Sequence, residues 1–184
     1  MKKNHNFFSD LAFNLAEIHL GKTNPNPSVG CIIVKNNSVI SSGITSINGR
    51  PHAETNALNK KIDFSGSHMY VTLEPCAHYG LTPPCVNIIK KKKIKNVYFN
   101  YDDPDLRTYQ KAKKFFLRKK INFKKVKIIK NDFYKSYFFN HKEQLPYFDA
   151  KIAISKDFKT INKKSKRITN YRSEKVTHLI RSKY

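Results

Sequence analysis

Three potential metal ligands that are far apart in the sequence restrict the folds this chain can adopt. His52 lies in a Pro-His-Ala-Glu segment, and Cys76 and Cys85 lie in a second segment, which reads Glu-Pro-Cys-Ala-His-Tyr-Gly-Leu-Thr-Pro-Pro-Cys. One imidazole and two thiolates suit Zn²⁺, and three protein ligands leave its fourth tetrahedral position to water, as in catalytic zinc sites. Because each segment lies where a helix is predicted to begin, the fold must bring two helix starts together.

The position of Glu54, two residues after His52, constrains the local structure further. Residues two apart on a regular helix point about 200° apart, so the two side chains can share a site only where a helix begins. Pro51 is suited to such a start. Glu54 would then act as a proton shuttle beside the metal rather than as a ligand, because zinc lowers the pKa of a bound water to about 7. This arrangement predicts hydrolytic deamination of a heteroaromatic ring, and His-x-Glu with a Pro-Cys segment is a general signature of zinc deaminases.

The order of predicted elements indicates an α/β fold. Apolar periodicity predicts a helix over 7–20, with Ser9 as its N-cap and Gly21 at its end. An Asn36-Asn37 turn joins the first two predicted strands. The remaining predictions are strands over 29–34, 38–44, 69–73, 97–101 and 126–129, and helices over 53–60, 84–92 and 109–119. This order predicts a three-layer α/β/α sandwich around a central mixed five-stranded sheet.

The pattern changes near residue 147. A strand over 150–155, a Lys-rich loop and a helix over 173–181 are predicted there. One strand and one helix are too little for a separate hydrophobic core. We therefore expect residues 1–146 to form one domain and residues 147–184 to be the truncated start of another.

The positive charge of the chain does not by itself identify a partner. Thirty-six Lys and Arg residues against 13 Asp and Glu residues give a formal charge of +23, which is a feature of many nucleic-acid-binding proteins. Only six of the basic residues are Arg, however, and reading base edges favours Arg. We therefore expect the excess of lysine to reflect overall composition, and we do not expect nucleic acid as a partner.

The apolar and cysteine content restricts the location of the protein. No apolar run is long enough to span a membrane, and the polar start of the chain is not a signal peptide, so a cytoplasmic protein without a membrane partner is expected. Three cysteines in such a chain argue against a disulfide framework. Cys31 lies within an apolar run and is expected to be a core thiol.

The long spacing between the two cysteines is specific. Together with the His-Ala-Glu segment and the Asn-Pro-Asn-Pro-Ser-Val-Gly-Cys segment at 24–31, it closely resembles the deaminase domain of the RibD family of bifunctional riboflavin biosynthesis proteins. The resemblance implies a cytidine deaminase-like fold, and a zinc-dependent hydrolase with His52, Cys76 and Cys85 as metal ligands and Glu54 as the catalytic residue. The implied substrate is 2,5-diamino-6-(ribosylamino)pyrimidin-4-one 5′-phosphate. Loss of its 2-amino group would give 5-amino-6-(ribosylamino)uracil 5′-phosphate and ammonia.

The same resemblance implies that Asn26, His78 and Asp103 contact the substrate. Two departures concern this part of the site. Leu81 stands where the family usually has Lys or Arg, and the stretch 103–108 lacks the second proline and the following glycines of the usual Asp-Pro-x-Pro loop. These departures affect the expected substrate affinity or identity.

Residues 151–157 and 168–170 resemble the opening of the family's NADPH-dependent reductase domain. Most of that domain is absent, so the resemblance implies deamination without reduction, and NADPH only if a complete reductase were present. A separate reductase chain and a second copy of this chain in a homo-oligomer are the expected protein partners. Two alternatives stay open: a deaminase of another nucleoside or nucleotide, and a catalytically silent zinc-binding subunit of a separate reductase.

Overall fold

A mixed sheet lies at the centre of the computed structural model, which describes residues 4–128, 130, 132–160 and 168–181. Its strands are β1 (Gly30–Lys35), β2 (Ser38–Ile44), β3 (His68–Leu73), β4 (Asn96–Tyr101) and β5 (Asn122–Lys125). Their spatial order is β2-β1-β3-β4-β5. β1 pairs antiparallel with β2 and β3, whereas β3, β4 and β5 run parallel. The predicted mixed five-stranded sheet is therefore confirmed within the described ranges.

Helices cover both faces of the sheet. The helices are α1 (His5–Ile18), α2 (Ala53–Leu58), α3 (Cys85–Lys91), α4 (Lys111–Arg118), α5 (Lys135–Glu143) and α6 (Tyr171–Arg181). The order from α1 to β5 is the predicted one, whereas α5 was not predicted. None of the described helices is both long enough and apolar enough to cross a membrane.

The strands divide their side chains between two cores, because successive residues of a strand point to opposite faces. Cys31, Ile33 and Val71 lie in the larger core, to which α2, α3 and α4 contribute. Ile32 and Tyr70 lie in the smaller core, which includes residues of α1. The three layers that the sequence predicts are thus present, and Cys31 is a fully buried core thiol, as expected.

Close backbone contact places α2 directly on β2. A Cβ added to Gly43 would lie 2.2 Å from the carbonyl oxygen of Ala53 and 2.4 Å from the backbone nitrogen of Ala57. The hydroxyl of Ser41 also donates to the carbonyl oxygen of Ala57, at 2.5 Å. Only glycine at position 43 permits this approach, which fixes the start of α2 relative to the sheet.

The N-cap of α1 differs from the prediction. Asn4 caps the helix, because its side-chain oxygen accepts a hydrogen bond from the backbone nitrogen of Phe7 at 3.2 Å. Ser9 lies inside the helix, is buried, and accepts a hydrogen bond from the Asn100 amide. A serine that faces a buried amide was therefore mistaken for a capping residue.

The predicted strand over 126–129 was wrong in position. The strand observed is β5 at 122–125, where the Phe123 ring stacks on Phe99 of β4 with centroids 4.3 Å apart. β5 lies at the edge of the sheet and is mostly exposed, so it lacks the continuous apolar run used for the prediction. Val126 instead follows the strand and is buried in the smaller core, and Ile129 lies outside the described residues.

The predicted strand over 150–155 is not present. This stretch has no regular secondary structure, and Ile152 and Ile154 are largely exposed. A strand needs a hydrogen-bonded neighbour, and no described strand pairs with this stretch. The predicted helix that follows is present as α6 and begins two residues earlier than expected.

Candidate metal centre

The structure brings His52, Cys76 and Cys85 together at one end of the sheet. His52 is the N-cap of α2 and has extended backbone, whereas Cys85 is the first residue of α3. Cys76 lies just after β3 and accepts a hydrogen bond from the backbone nitrogen of Cys85 at 3.2 Å. Two helix starts therefore converge, as the sequence requires of a shared metal site.

The distances between the three donor atoms fit a tetrahedral zinc ion. Nδ1 of His52 lies 3.6 Å from Sγ of Cys76 and 3.5 Å from Sγ of Cys85. All three donor atoms lie within 4.8 Å of one another. Bonds of about 2.1 Å to nitrogen and about 2.3 Å to sulfur at a tetrahedral angle separate the two atoms by about 3.6 Å. The donor set and its spacing therefore suit Zn²⁺.

Neighbouring groups favour the thiolate form of Cys76. Hydrogen bonding from Cys85 and then from His52 lowers the pKa of the Cys76 thiol to about 4, against the opposing effect of burial. Thiolate, rather than thiol, is the form that binds zinc. The protein groups alone therefore favour a negative charge on Cys76.

Glu54 lies in the first turn of α2 and is buried. Burial, followed by the negative charge of Cys76, raises the pKa of its carboxyl group to about 7. Its position confirms the expectation that His52 and Glu54 can face one site at a helix start. A carboxyl group with such a pKa can both accept and release a proton near neutral pH.

A cavity of about 350 Å³ is lined by Glu54 and by two of the three candidate metal ligands, His52 and Cys76. All three residues predicted to contact the substrate line it, namely Asn26, His78 and Asp103.

Each of these three side chains is held by a neighbour. The Asn26 amide donates to the carbonyl oxygen of Gly49 at 2.8 Å, and Nδ1 of His78 lies 2.9 Å from the Thr108 hydroxyl. Asp103 is the most buried of the three and accepts a hydrogen bond from the Tyr137 hydroxyl at 2.9 Å. Their roles toward a substrate stay predictions.

Sequence reasoning also missed residues that line the cavity, among them Arg50, Glu74 and Tyr137. Arg50 immediately precedes the Pro-His-Ala-Glu segment, and Glu74 begins the second segment, so proximity to the motifs was an available signal for both. Oε1 of Glu74 is buried without a hydrogen-bond partner among the described residues. Burial raises the pKa of the Glu74 carboxyl group to about 7.

The two departures from the RibD pattern lie at the same cavity. The Leu81 side chain lines it and is 87% exposed. In the altered loop, Asp105 binds the Arg107 guanidinium through two nitrogens, with the shortest contact at 2.6 Å. This pair lowers the pKa of Asp105 to about 2. The loop therefore gains an ion pair in place of the usual proline and glycines.

Comparison with known proteins places these observations in a family. The model described as "Cytidine and deoxycytidylate deaminase zinc-binding region" matches residues 2–101. Over 119 residues the chain is 40% identical to the diaminohydroxyphosphoribosylamino-pyrimidine deaminase of Buchnera aphidicola subsp. Schizaphis graminum, and the alignment covers 64% of this chain and 81% of that protein. Zinc as the cofactor is thereby confirmed.

Longer relatives match as well. The chain is 50% identical over 95 residues to the riboflavin biosynthesis protein RibD of Actinobacillus pleuropneumoniae, which covers 51% of this chain and 25% of that protein. A similar solved structure is the diaminohydroxyphosphoribosylaminopyrimidine deaminase/5-amino-6-(5-phosphoribosylamino)uracil reductase of Thermotoga maritima. Its TM-score is 0.86 at 32% identity, and the match covers 95% of this chain and 52% of that chain. The chain thus spans only part of these relatives, and the predicted cytidine deaminase-like fold is confirmed.

Proposed function

This chain belongs to the cytidine and deoxycytidylate deaminase zinc-binding family, and we propose that it deaminates 2,5-diamino-6-(ribosylamino)pyrimidin-4-one 5′-phosphate in riboflavin biosynthesis. The observation that carries the proposal is the convergence of three candidate zinc ligands, two of which line a cavity together with the buried carboxyl group of Glu54. The proposed substrate corresponds to the name of the Buchnera relative, a diaminohydroxyphosphoribosylamino-pyrimidine deaminase, of which the alignment covers 81%.

His52, Cys76 and Cys85 would hold the metal. A zinc ion bound there supplies Lewis acidity and lowers the pKa of a coordinated water to about 7. The lowered pKa of the Cys76 thiol favours the thiolate that binds zinc, and the start of α2 positions His52.

Glu54 would carry the protons of the reaction. Its carboxyl group is buried in the cavity wall, where it can take a proton from water and deliver it to a ring nitrogen. It can then take the proton of the newly added hydroxyl group and deliver it to the amine, which leaves as ammonia while the carbonyl forms. Because its pKa lies near 7, it can hold the proton between these steps at neutral pH. No other side chain is needed to account for the proton balance of hydrolysis to the uracil and ammonia.

Asn26, His78 and Asp103 would orient the substrate. Their side chains offer amide, imidazole and carboxylate groups, which match the amino, carbonyl and ring nitrogen groups of a diaminopyrimidine. Hydrogen bonds to Gly49, Thr108 and Tyr137 restrict the motion of these side chains. Substrate binding therefore requires little further ordering of them.

We also propose that residues 1–146 are the deaminase unit and that residues 147–184 are the beginning of a reductase-like region. The family model ends at residue 101, whereas the Thermotoga deaminase/reductase matches 95% of the chain. Deamination itself needs no NADPH, so we expect ammonia release by residues 1–184 without NADPH consumption.

Substitution of Glu54 by Gln tests the proposed function. The change removes the proton carrier while preserving side-chain size, so we expect zinc content to stay at about one ion per chain and ammonia release from the phosphorylated diaminopyrimidine to fall by at least about 100-fold. Glu17→Gln on the exposed face of α1 is the matched control and should retain full activity. Wild-type protein that binds zinc but releases no ammonia would contradict the proposal and favour a silent zinc-binding subunit, whereas turnover of cytidine alone would favour another nucleoside.

A further inference from the structure

Two arginine side chains line the cavity beside the candidate metal ligands, and among the described residues only Arg107 forms an ion pair. The Arg107 guanidinium is bound to both carboxylate oxygens of Asp105, and its side chain is 71% exposed. That pairing largely neutralises its charge. Nη1 of Arg50, by contrast, donates to the neutral hydroxyl of Thr82 at 2.9 Å. Among the described residues Arg50 forms no ion pair, so it supplies the cavity with a cation that no salt bridge neutralises.

The backbone around Arg50 fixes its position. Gly49 has a φ of +84°, and a Cβ there would lie 2.7 Å from the carbonyl oxygen of Thr23, so the turn before Arg50 favours glycine. The Gly49 carbonyl oxygen also accepts the hydrogen bond from Asn26. Arg50 is therefore placed by the same contacts that place a wall of the cavity.

Arg50 and Thr82 together form a suitable pair of donors for an anion. An arginine side chain has five N–H donors, of which the Thr82 hydroxyl uses one. The oxygen of Thr82 accepts that bond, and its own hydrogen stays available to donate. A planar guanidinium with a neighbouring hydroxyl matches the oxygens of a phosphate group.

We propose that Arg50, oriented by Thr82, binds the phosphate group of the substrate and so determines the preference for a phosphorylated ligand. This inference rests on the proposed function, because it assigns one part of that substrate to one side chain. Leu81, beside Thr82, carries no charge and is largely exposed, so it does not compete for this role.

The test compares two substrates that differ only in the phosphate group: the 5′-phosphorylated diaminopyrimidine and its dephosphorylated ribosyl form. Arg50→Gln should raise KM for the phosphorylated form by at least about tenfold, because a charge-assisted hydrogen bond is lost. KM for the dephosphorylated form should change by less than about twofold, and zinc content should be unchanged. Arg118→Gln, at an exposed arginine in the last turn of α4, is the matched control and should alter neither value.

A second variant tests whether the charge itself is responsible. Because position 81 is exposed beside Thr82, a lysine there can supply a cation to the same region. Recovery of KM for the phosphorylated substrate in Arg50→Gln/Leu81→Lys would support the proposal.

The outcomes separate this inference from the proposed function. Equal losses with both substrates in Arg50→Gln would overturn the phosphate role, as would a selective loss in Arg107→Gln that is absent from Arg50→Gln. In either case wild-type turnover would leave the deaminase function standing. Absence of ammonia release from wild-type protein with either substrate would overturn both proposals.

Discussion

His52 and Glu54 face one cavity although only Ala53 separates them. His52 has extended backbone, with φ −68° and ψ 159°, and Glu54 lies in the first turn of the helix that follows. The change from extended to helical backbone between them removes the divergence that two positions on a regular helix would have. The start of α2 is therefore part of the site, and displacement of α2 is expected to disturb both residues.

Gly43→Ala should displace α2 and weaken zinc binding. The added Cβ would lie 2.2 Å from the Ala53 carbonyl oxygen, which belongs to backbone and cannot rotate away. We expect a loss of about 1–3 kcal/mol in the free energy of unfolding, as for other overpacked sites, and lower zinc content. Urea unfolding and metal analysis would measure the two effects.

Gly66→Ala is the matched control. Gly66 has a φ of +76° and no atom within 4 Å of an added Cβ, so alanine there costs about 1–2 kcal/mol of backbone strain without steric conflict. Zinc content should stay at the wild-type level. Loss of zinc in both variants would show that stability, and not the position of α2, governs metal binding.

Removal of the metal should destabilise the protein. Zinc that binds only the folded state adds stability in proportion to its binding free energy, so a chelator should lower the melting temperature of wild-type protein. Cys85→Ser should have a lower melting temperature and no response to chelator. Cys31→Ala changes a buried thiol outside the site and should keep both its zinc and its response to chelator.

Much of the site was predictable because ligand chemistry links distant residues. The need to place His52 beside Cys76 and Cys85 fixed the convergence of two helix starts, whatever the register of the sheet. Tyr137 was not predictable in this way. It reaches Asp103 across 34 positions of sequence from α5, a helix without a buried residue to mark it.

The fold shows the same distinction between elements that have a local sequence signal and elements that depend on distant contacts. Buried strands such as β1 and β3 have apolar runs that indicate them directly. β5 is an edge strand held by the stacking of Phe123 on Phe99, and such a contact depends on the parallel pairing of β4 and β5 rather than on local sequence. The stretch over 150–155 has strand-like composition, but its conformation depends on a neighbouring strand, which local sequence does not reveal.

Tyr137→Phe should make the stability of the protein more sensitive to pH. Burial raises the pKa of Asp103, whereas the hydrogen bond from Tyr137 opposes that rise. Removal of the hydroxyl should therefore raise the pKa further and cost roughly 1–3 kcal/mol while Asp103 is charged. Because a raised carboxyl pKa lowers stability as pH increases, the difference from wild type should be larger at pH 7 than at pH 5.

An Asp103→Asn background provides the control for this prediction. Asparagine does not titrate, so the effect of Tyr137→Phe on the urea midpoint should then be the same at pH 5 and pH 7. If the effect of Tyr137→Phe on the urea midpoint still differs between pH 5 and pH 7 in this background, a group other than Asp103 causes the pH dependence.

The exposed apolar face of α6 predicts self-association. Val176 and Ile180 lie four residues apart on one side of the helix and are 54% and 42% exposed, and Phe148 and Phe158 elsewhere in the region after 146 are more than 80% exposed. Apolar surface of this kind is usually covered by a partner, and a second copy of the chain is the simplest one.

Light scattering after size exclusion should give a mass of at least twice 21.4 kDa, and Val176→Ser/Ile180→Ser should lower this mass without loss of zinc. A wild-type monomer at micromolar concentration would contradict this expectation, whereas an unchanged mass in the double variant would place the contact on another surface.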